Sequence, residues 1–135
     1  MSNHVNATMK SLAPVLIVES VQPCLDFWTR LGFATENEVP GEDGLVFASV
    51  RKDGVEIMYQ SRASVLAADP SQAGDVEGHG IALFITLGAV AELDAVEAAV
   101  RGAPVVKPRH ETFYGTTEVY VREPGGNVVG FAAHG

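Results

Sequence analysis

Four histidines, a single cysteine and two carboxylates set among apolar strand residues, Glu56 and Glu118, are the side chains of this sequence whose chemistry stands out. His4, His79, His110 and His134 never fall at HxH or HExxH spacing, so spacing alone presents no two-histidine metal face. His4, His110 and His134 are expected in a leader, a loop and the tail, exposed to solvent. His79 stands in Gly78-His79-Gly80, which runs on to Leu83 without a third glycine and opens a strand, so it is not a dinucleotide-binding fingerprint. There is no GxSxG elbow, and His110 beside Glu111 has no nucleophile pattern around it. Cys24, in Gln22-Pro23-Cys24-Leu25, falls near a helix start that would favour its thiolate, but a small buried packing residue is the simpler reading.

These residues must be positioned by elements that the hydrophobic pattern makes readable. Leu12 to Glu19 is a short Val- and Ile-rich strand. A helix follows from Ser20 as N-cap, with Pro23 in its first turn, Val21, Leu25, Trp28 and Leu31 or Cys24 on one face, and Gly32 as its stop. Strands are expected at Phe33 to Val39, Leu45 to Val50 and Val55 to Gln60, separated by turns at 40–44 and 52–54. The order then repeats: a strand from Ile81 to Leu87, a helix from Ala89 to Arg101 stopped by Gly102, and strands at Val105 to Lys107 with an irregular continuation, Thr117 to Arg122, and Val128 to Ala132. Laying Val18 on Ile85 and Tyr59 on Phe131 superimposes the halves. The expected organisation is a leader over residues 1–11 and one domain over 12–135, with module 1 at about 12–62, a linker at 63–79 and module 2 at about 80–135.

With this repeat in place, the segment Pro14-Val15-Leu16-Ile17-Val18-Glu19-Ser20, then Leu25-Asp26-Phe27-Trp28 and Leu31-Gly32-Phe33, resembles the start of a vicinal oxygen chelate domain. Tyr114-Gly115 followed by Val119-Tyr120-Val121-Arg122-Glu123-Pro124-Gly125-Gly126-Asn127 is similar to the end of one. That superfamily includes glyoxalase I, extradiol dioxygenases, and fosfomycin and bleomycin resistance proteins. The resemblance implies an α+β fold in which two βαβββ modules form a U-shaped mixed sheet, a half-barrel, with the helices on its outer face. It also implies a homodimer.

Alternation along the strands then assigns faces. Leu16, Val18, Ile81, Leu83, Ile85, Val119, Val121, Val129 and Phe131 should face the helices. The expected ligand-binding set is Phe47, Ser49, Glu56, Met58, Phe84, Glu118 and Tyr120 on the concave face, with Phe113 and Tyr114 at the pocket mouth. The two aromatics either stack on a planar or cationic ligand or cap the core edge or dimer interface. Glu56 and Glu118 either meet a bound amine or pair with Arg51, Arg122 or another basic side chain at the sheet rim. The family's four metal-ligand positions map onto Ala13, Met58, Gly80 and Gly130, a set that offers a divalent ion no oxygen or nitrogen side chain. No metal or other cofactor is therefore expected.

Charge narrows the partners further. Nine Lys and Arg against seventeen Asp and Glu leave a net charge of -8, opposite to a nucleic-acid or anionic-membrane binder. One cysteine permits no intrachain disulfide and fits a cytoplasmic location. The leading expectation is a metal-independent small-molecule-binding protein similar to the bleomycin resistance branch, sequestering an antibiotic-like, planar or cationic ligand. The alternatives are a glyoxalase- or dioxygenase-type metalloenzyme using His79, Glu56 and Glu118, and a metal-free enzyme with Glu56 or Glu118 as general base.

Overall fold

A computed structural model describes residues 5–73 and 81–135. The first module runs β1 (Val15–Val18), α1 (Val21–Arg30), β2 (Ala34–Gly41), β3 (Gly44–Lys52) and β4 (Val55–Ser61). A short helix α2 (Arg62–Ala68) and a 3-10 turn (Pro70–Gln72) follow. The second module runs β5 (Ala82–Thr86), a 3-10 turn (Val90–Glu92), α3 (Leu93–Ala99), β6 (Val105–Glu111), β7 (Thr116–Arg122) and β8 (Val128–His134). Its two four-stranded sheets have matching orders, β1-β4-β3-β2 and β5-β8-β7-β6, in which only the β1/β4 and β5/β8 pairs are parallel. This is the expected α+β arrangement of two βαβββ units.

The α1 sequence buries Val21, Cys24, Leu25, Phe27 and Trp28, positions that share one face at helical spacing. Ser20 holds the N-cap backbone geometry, but its hydroxyl makes no capping bond. At the other end Gly32 takes φ +92, and Gly32 N–H and Phe33 N–H donate to the carbonyls of Thr29 and Trp28, closing the helix with a Schellman turn.

Four details differ from the sequence expectation. The superposition of Val18 on Ile85 is two residues out, because Leu16 pairs with Tyr59 where Ile85 pairs with Phe131. A slip of two preserves the period of a strand, so the hydrophobic pattern does not detect it. Ile81 precedes β5 and is exposed, its N–H held by Asn127 Oδ1, rather than facing a helix. The Ala89 to Arg101 segment is a 3-10 turn leading into a shorter α-helix, with Glu92 Oε1 accepting from Ala89 N–H. Finally, helix α2 starts at Arg62, at the end of module 1, and occupies the first residues of the stretch read as linker, its N-terminus capped by Ser61 Oγ accepting from Ser64 N–H.

The core runs continuously from one module into the other. Trp28 packs edge-on against Phe27 and Phe33, and its Nε1–H donates to Tyr59 Oη (2.8 Å). Tyr59 then donates to Glu123 Oε2 (2.6 Å), and Asn127 donates its backbone N–H (2.7 Å) and Nδ2 (3.2 Å) to Glu123 Oε1. A buried acidic group is thereby joined to α1, β4 and the β7–β8 turn. The same turn needs glycine at 125, because a Cβ there would lie 2.5 Å from Val18 Cγ1 and 3.2 Å from Cys24 Sγ. Burial, with the Glu123 charge next in weight, pushes the Cys24 thiol and the Tyr59 phenol up, so both stay protonated.

Tyr59→Phe leaves the Trp28 N–H without its acceptor and Glu123 short of one donor, and is expected to cost about 1–3 kcal/mol. Gly125→Ala forces a methyl group against Val18 and should cost a similar about 1–3 kcal/mol. Urea denaturation of each variant is the check, and losses under about 0.5 kcal/mol would show that this junction is not a structural support.

Candidate functional site

Module 2 carries an open pocket of about 540 Å³ between β6, β7 and the loop that joins them. Thr116, Glu118 and Tyr120 alternate along β7 and so share one face. The loop is closed by Thr112 N–H donating to the Thr116 carbonyl (2.8 Å) and by the contact between the Thr112 and Thr116 hydroxyls (2.6 Å), with Gly115 at φ +90 permitting the turn. That closure brings Tyr114 over Glu118.

Glu118 is only 1% exposed and is surrounded by hydroxyl groups. Thr116 Oγ1–H (2.8 Å) and Tyr114 Oη–H (3.2 Å) donate to Oε2, and Tyr120 Oη–H (2.9 Å) donates to Oε1. His110 Nε2 lies 4.0 Å from Oε1. Desolvation alone would raise the Glu118 pKa, but the three hydroxyl donors and His110 outweigh it and hold the carboxyl below the usual glutamate range. The carboxylate forms the floor of the open pocket. Desolvation first, and then the bond and charge of Glu118, push the Tyr120 phenol up to about 12.

Aromatic groups line the walls. The rings of His110 and Tyr120 are nearly parallel at 6.3 Å, and Phe84 lies 6.5 Å from Tyr120. Phe113 is fully exposed at the mouth, edge-on to the half-exposed Tyr114 at 5.1 Å. Lys107 and Glu111 complete the charged lining.

The expected ligand-binding residues fall into two groups. Phe113, Tyr114, Glu118 and Tyr120 come together in this pocket, with Phe84 beside it. Phe47, Ser49, Glu56 and Met58 belong to the first sheet and do not line it. Glu56 forms an ion pair with Arg51 Nη2 (2.8 Å), one of the two readings open from sequence. Ser49 is buried, and its hydroxyl accepts from Asn37 Nδ2 and donates to the Glu36 carbonyl across the irregular β2–β3 pairing.

His110 corrects the sequence expectation of an exposed loop residue. Strand β6 continues through its irregularity around Pro108, a residue tolerated on an edge strand, and sets His110 opposite Glu118. Thr116 was also missed, although the Thr-x-Glu-x-Tyr alternation carries the signal.

The family's metal positions do not fit a divalent ion here. Ala13, Met58 and Gly130 supply no oxygen or nitrogen side chain, and a Cβ at Gly130 would lie 2.3 Å from the Tyr120 ring, leaving no space for a ligating side chain. Gly80 and His79 lie outside the described residues. Among the described residues, no three His, Cys, Asp or Glu side chains converge on a metal-binding point, and no helix is long and apolar enough to cross a membrane.

Comparison with known proteins places this geometry in context. The family model of the Glyoxalase/Bleomycin resistance protein/Dioxygenase superfamily matches residues 3–131. No curated protein sequence matches the chain. A glyoxalase/bleomycin resistance protein/dioxygenase from Nocardioides is 18% identical with a TM-score of 0.73, over 98% of this chain and 87% of that one. TioX from Micromonospora sp. ML1 is 18% identical with a TM-score of 0.72, over 93% and 99%. A lactoylglutathione lyase from Agrobacterium tumefaciens is 17% identical with a TM-score of 0.70, over 93% and 95%. At these identities the structures share the fold alone.

The lowered Glu118 pKa fixes a sign. Its stabilising contribution is fully present above the ordinary unfolded glutamate pKa of about 4.3 and is lost as the pH falls through the lower folded value. The stability advantage of the native chain over Glu118→Gln should therefore be constant from about pH 5 to 7 and shrink below about pH 4.3. Denaturation midpoints across that range are the check. An advantage that grows on acidification would mean that the carboxyl is held protonated.

Proposed function

Because the chain belongs to the Glyoxalase/Bleomycin resistance protein/Dioxygenase superfamily, we propose that it binds a small planar molecule bearing a positive charge in the Glu118 pocket, and sequesters it without turnover and without a metal ion. The observation that carries this reading is a buried carboxylate held ionised by three hydroxyl donors, with no Lys or Arg against it. The hydroxyls satisfy its oxygens but carry no positive charge themselves, and His110 stands off at 4.0 Å. A ligand amine or ring cation reaching the pocket floor supplies the missing charge. Tyr114, Tyr120 and Phe113 offer faces for its planar part.

The same lowered pKa argues against Glu118 as a general base, since a carboxyl held below the ordinary range accepts a proton poorly near neutral pH. The donor-poor metal positions support the metal-free reading over the metalloenzyme. A second copy of the chain would cover Val15 and Phe84, which the edge strands β1 and β5 leave about half exposed. An antibiotic-like compound and a cationic metabolite fit this pocket chemistry equally.

A melting screen with acridinium and phenanthridinium dyes and their uncharged isosteres tests the proposal. The cations are expected to stabilise the native chain by roughly 2.7 kcal/mol at a hundredfold excess over Kd, the isosteres to do much less, and Glu118→Gln to abolish the difference. Stoichiometric metal in protein purified without chelator, with a shift from a divalent ion and none from any cation, would overturn the proposal in favour of the metalloenzyme.

A further inference from the structure

A second cleft, of about 490 Å³, lies between the C-terminal end of α1 and the segments flanking β6 and β7, away from the Glu118 pocket. Arg30, Arg101 and Arg122 line it. The chain has six arginines, and the other three are committed to carboxylates: Arg51 to Glu36 and Glu56, Arg62 to Glu19, and Arg109 to Asp94 and Glu97. Among the described residues, Arg30 and Arg101 have no ion-pair partner, and Arg122 donates from Nη1 only to the Gly126 carbonyl (2.8 Å). Among the described residues, the three arginines without a carboxylate partner therefore all face one cleft, in a strongly acidic chain.

Among the described residues the only acidic side chain in the lining is Glu123, and it is turned away into the core, where Tyr59 and Asn127 occupy its oxygens. A basic residue near a helix C-terminus is favourable by itself. That accounts for Arg30 at the end of α1 and Arg101 just beyond α3 one at a time, but not for their convergence with Arg122. Guanidinium groups offer planar paired donors that match phosphate oxygens. The cleft is also bounded, and the net charge of -8 around it disfavours an extended polyanion.

We infer that the cleft lined by Arg30, Arg101 and Arg122 is a second binding site, for a small molecule carrying a phosphate or pyrophosphate group. It does not depend on the ligand of the Glu118 pocket. Calorimetric titration of the full chain with inorganic pyrophosphate at low ionic strength tests it, read together with amide chemical shifts. One saturable site is expected, with shifts concentrated at Gly102 and Gly126. Binding should weaken at least roughly tenfold in Arg30→Gln/Arg101→Gln and hold within about twofold in the control Arg51→Gln/Arg109→Gln. All four side chains reach solvent, and circular dichroism verifies that both variants fold. The single variant Arg122→Gln, expected to weaken binding severalfold, serves if the first pair does not fold. Absence of saturable binding, indifference to the cleft substitutions, or equal weakening by the control pair would overturn the assignment.

Discussion

The Glu123 carboxyl group, buried where the two modules meet, is the constraint on which the rest of the architecture depends. Each module alone is a small sheet with one short helix against it, which leaves much of its apolar face uncovered. Tyr59 from the first module and Asn127 from the second both donate to Glu123, while Trp28 donates to the same Tyr59 hydroxyl. A buried acidic group left unsatisfied is costly, so this junction tolerates few relative placements of β4, α1 and the β7–β8 turn. Asn127 extends the arrangement by holding Ile81 N–H, which fixes where β5 begins. The sequence Glu123-Pro124-Gly125-Gly126-Asn127 is thus a structural junction, in which Glu123 supplies the acceptor, Gly125 the close approach to Val18, and Asn127 the donors.

The molecule buries a second carboxyl group to a different end. Glu118 has three hydroxyl donors, as many hydrogen bonds as Glu123 receives, but it forms the floor of an open pocket walled with aromatic rings. Glu123 is enclosed by the packed core and holds elements together. Glu118 faces a volume that a ligand can enter, with His110 Nε2 4.0 Å from its carboxylate and Lys107 elsewhere in the lining. Ion pairs such as Arg51–Glu56 and Arg109–Asp94 engage arginines elsewhere, whereas among the described residues Glu118 pairs with no Lys or Arg and the three cleft arginines pair with no carboxylate.

Most of the fold was legible in the sequence because it is written in periodicities and stop signals. Gly32 and Gly102 end helical segments, and the strand alternation placed Val119, Val121, Val129 and Phe131 on the buried face, where they are found. The candidate site was half legible. Alternation along β7 put Glu118 and Tyr120 on the concave face, but the same rule extended to Phe47, Ser49, Glu56 and Met58 could not reveal that the first sheet contributes nothing to this pocket. Whether two inward faces meet depends on how the sheets are set against each other, and strand periodicity carries no information about that. His110 escaped because Pro108 and an irregular register hid the continuation of β6, and Ser49 was misjudged because the hydrogen bonds it makes arise from a bulge that single-strand patterning does not encode.

The proposed function rests on Glu118 being an ionised carboxylate that receives a cation. Isotope-detected NMR titration of the Glu118 side-chain carboxyl, with the chain free and then saturated with a planar cationic ligand, measures this directly. A titration midpoint below that of an ordinary glutamate is expected in the free protein, and a lower one still when the cation is bound, since a nearby positive charge further favours the ionised form. A midpoint at or above the ordinary glutamate value, unmoved by the ligand, would contradict the proposal.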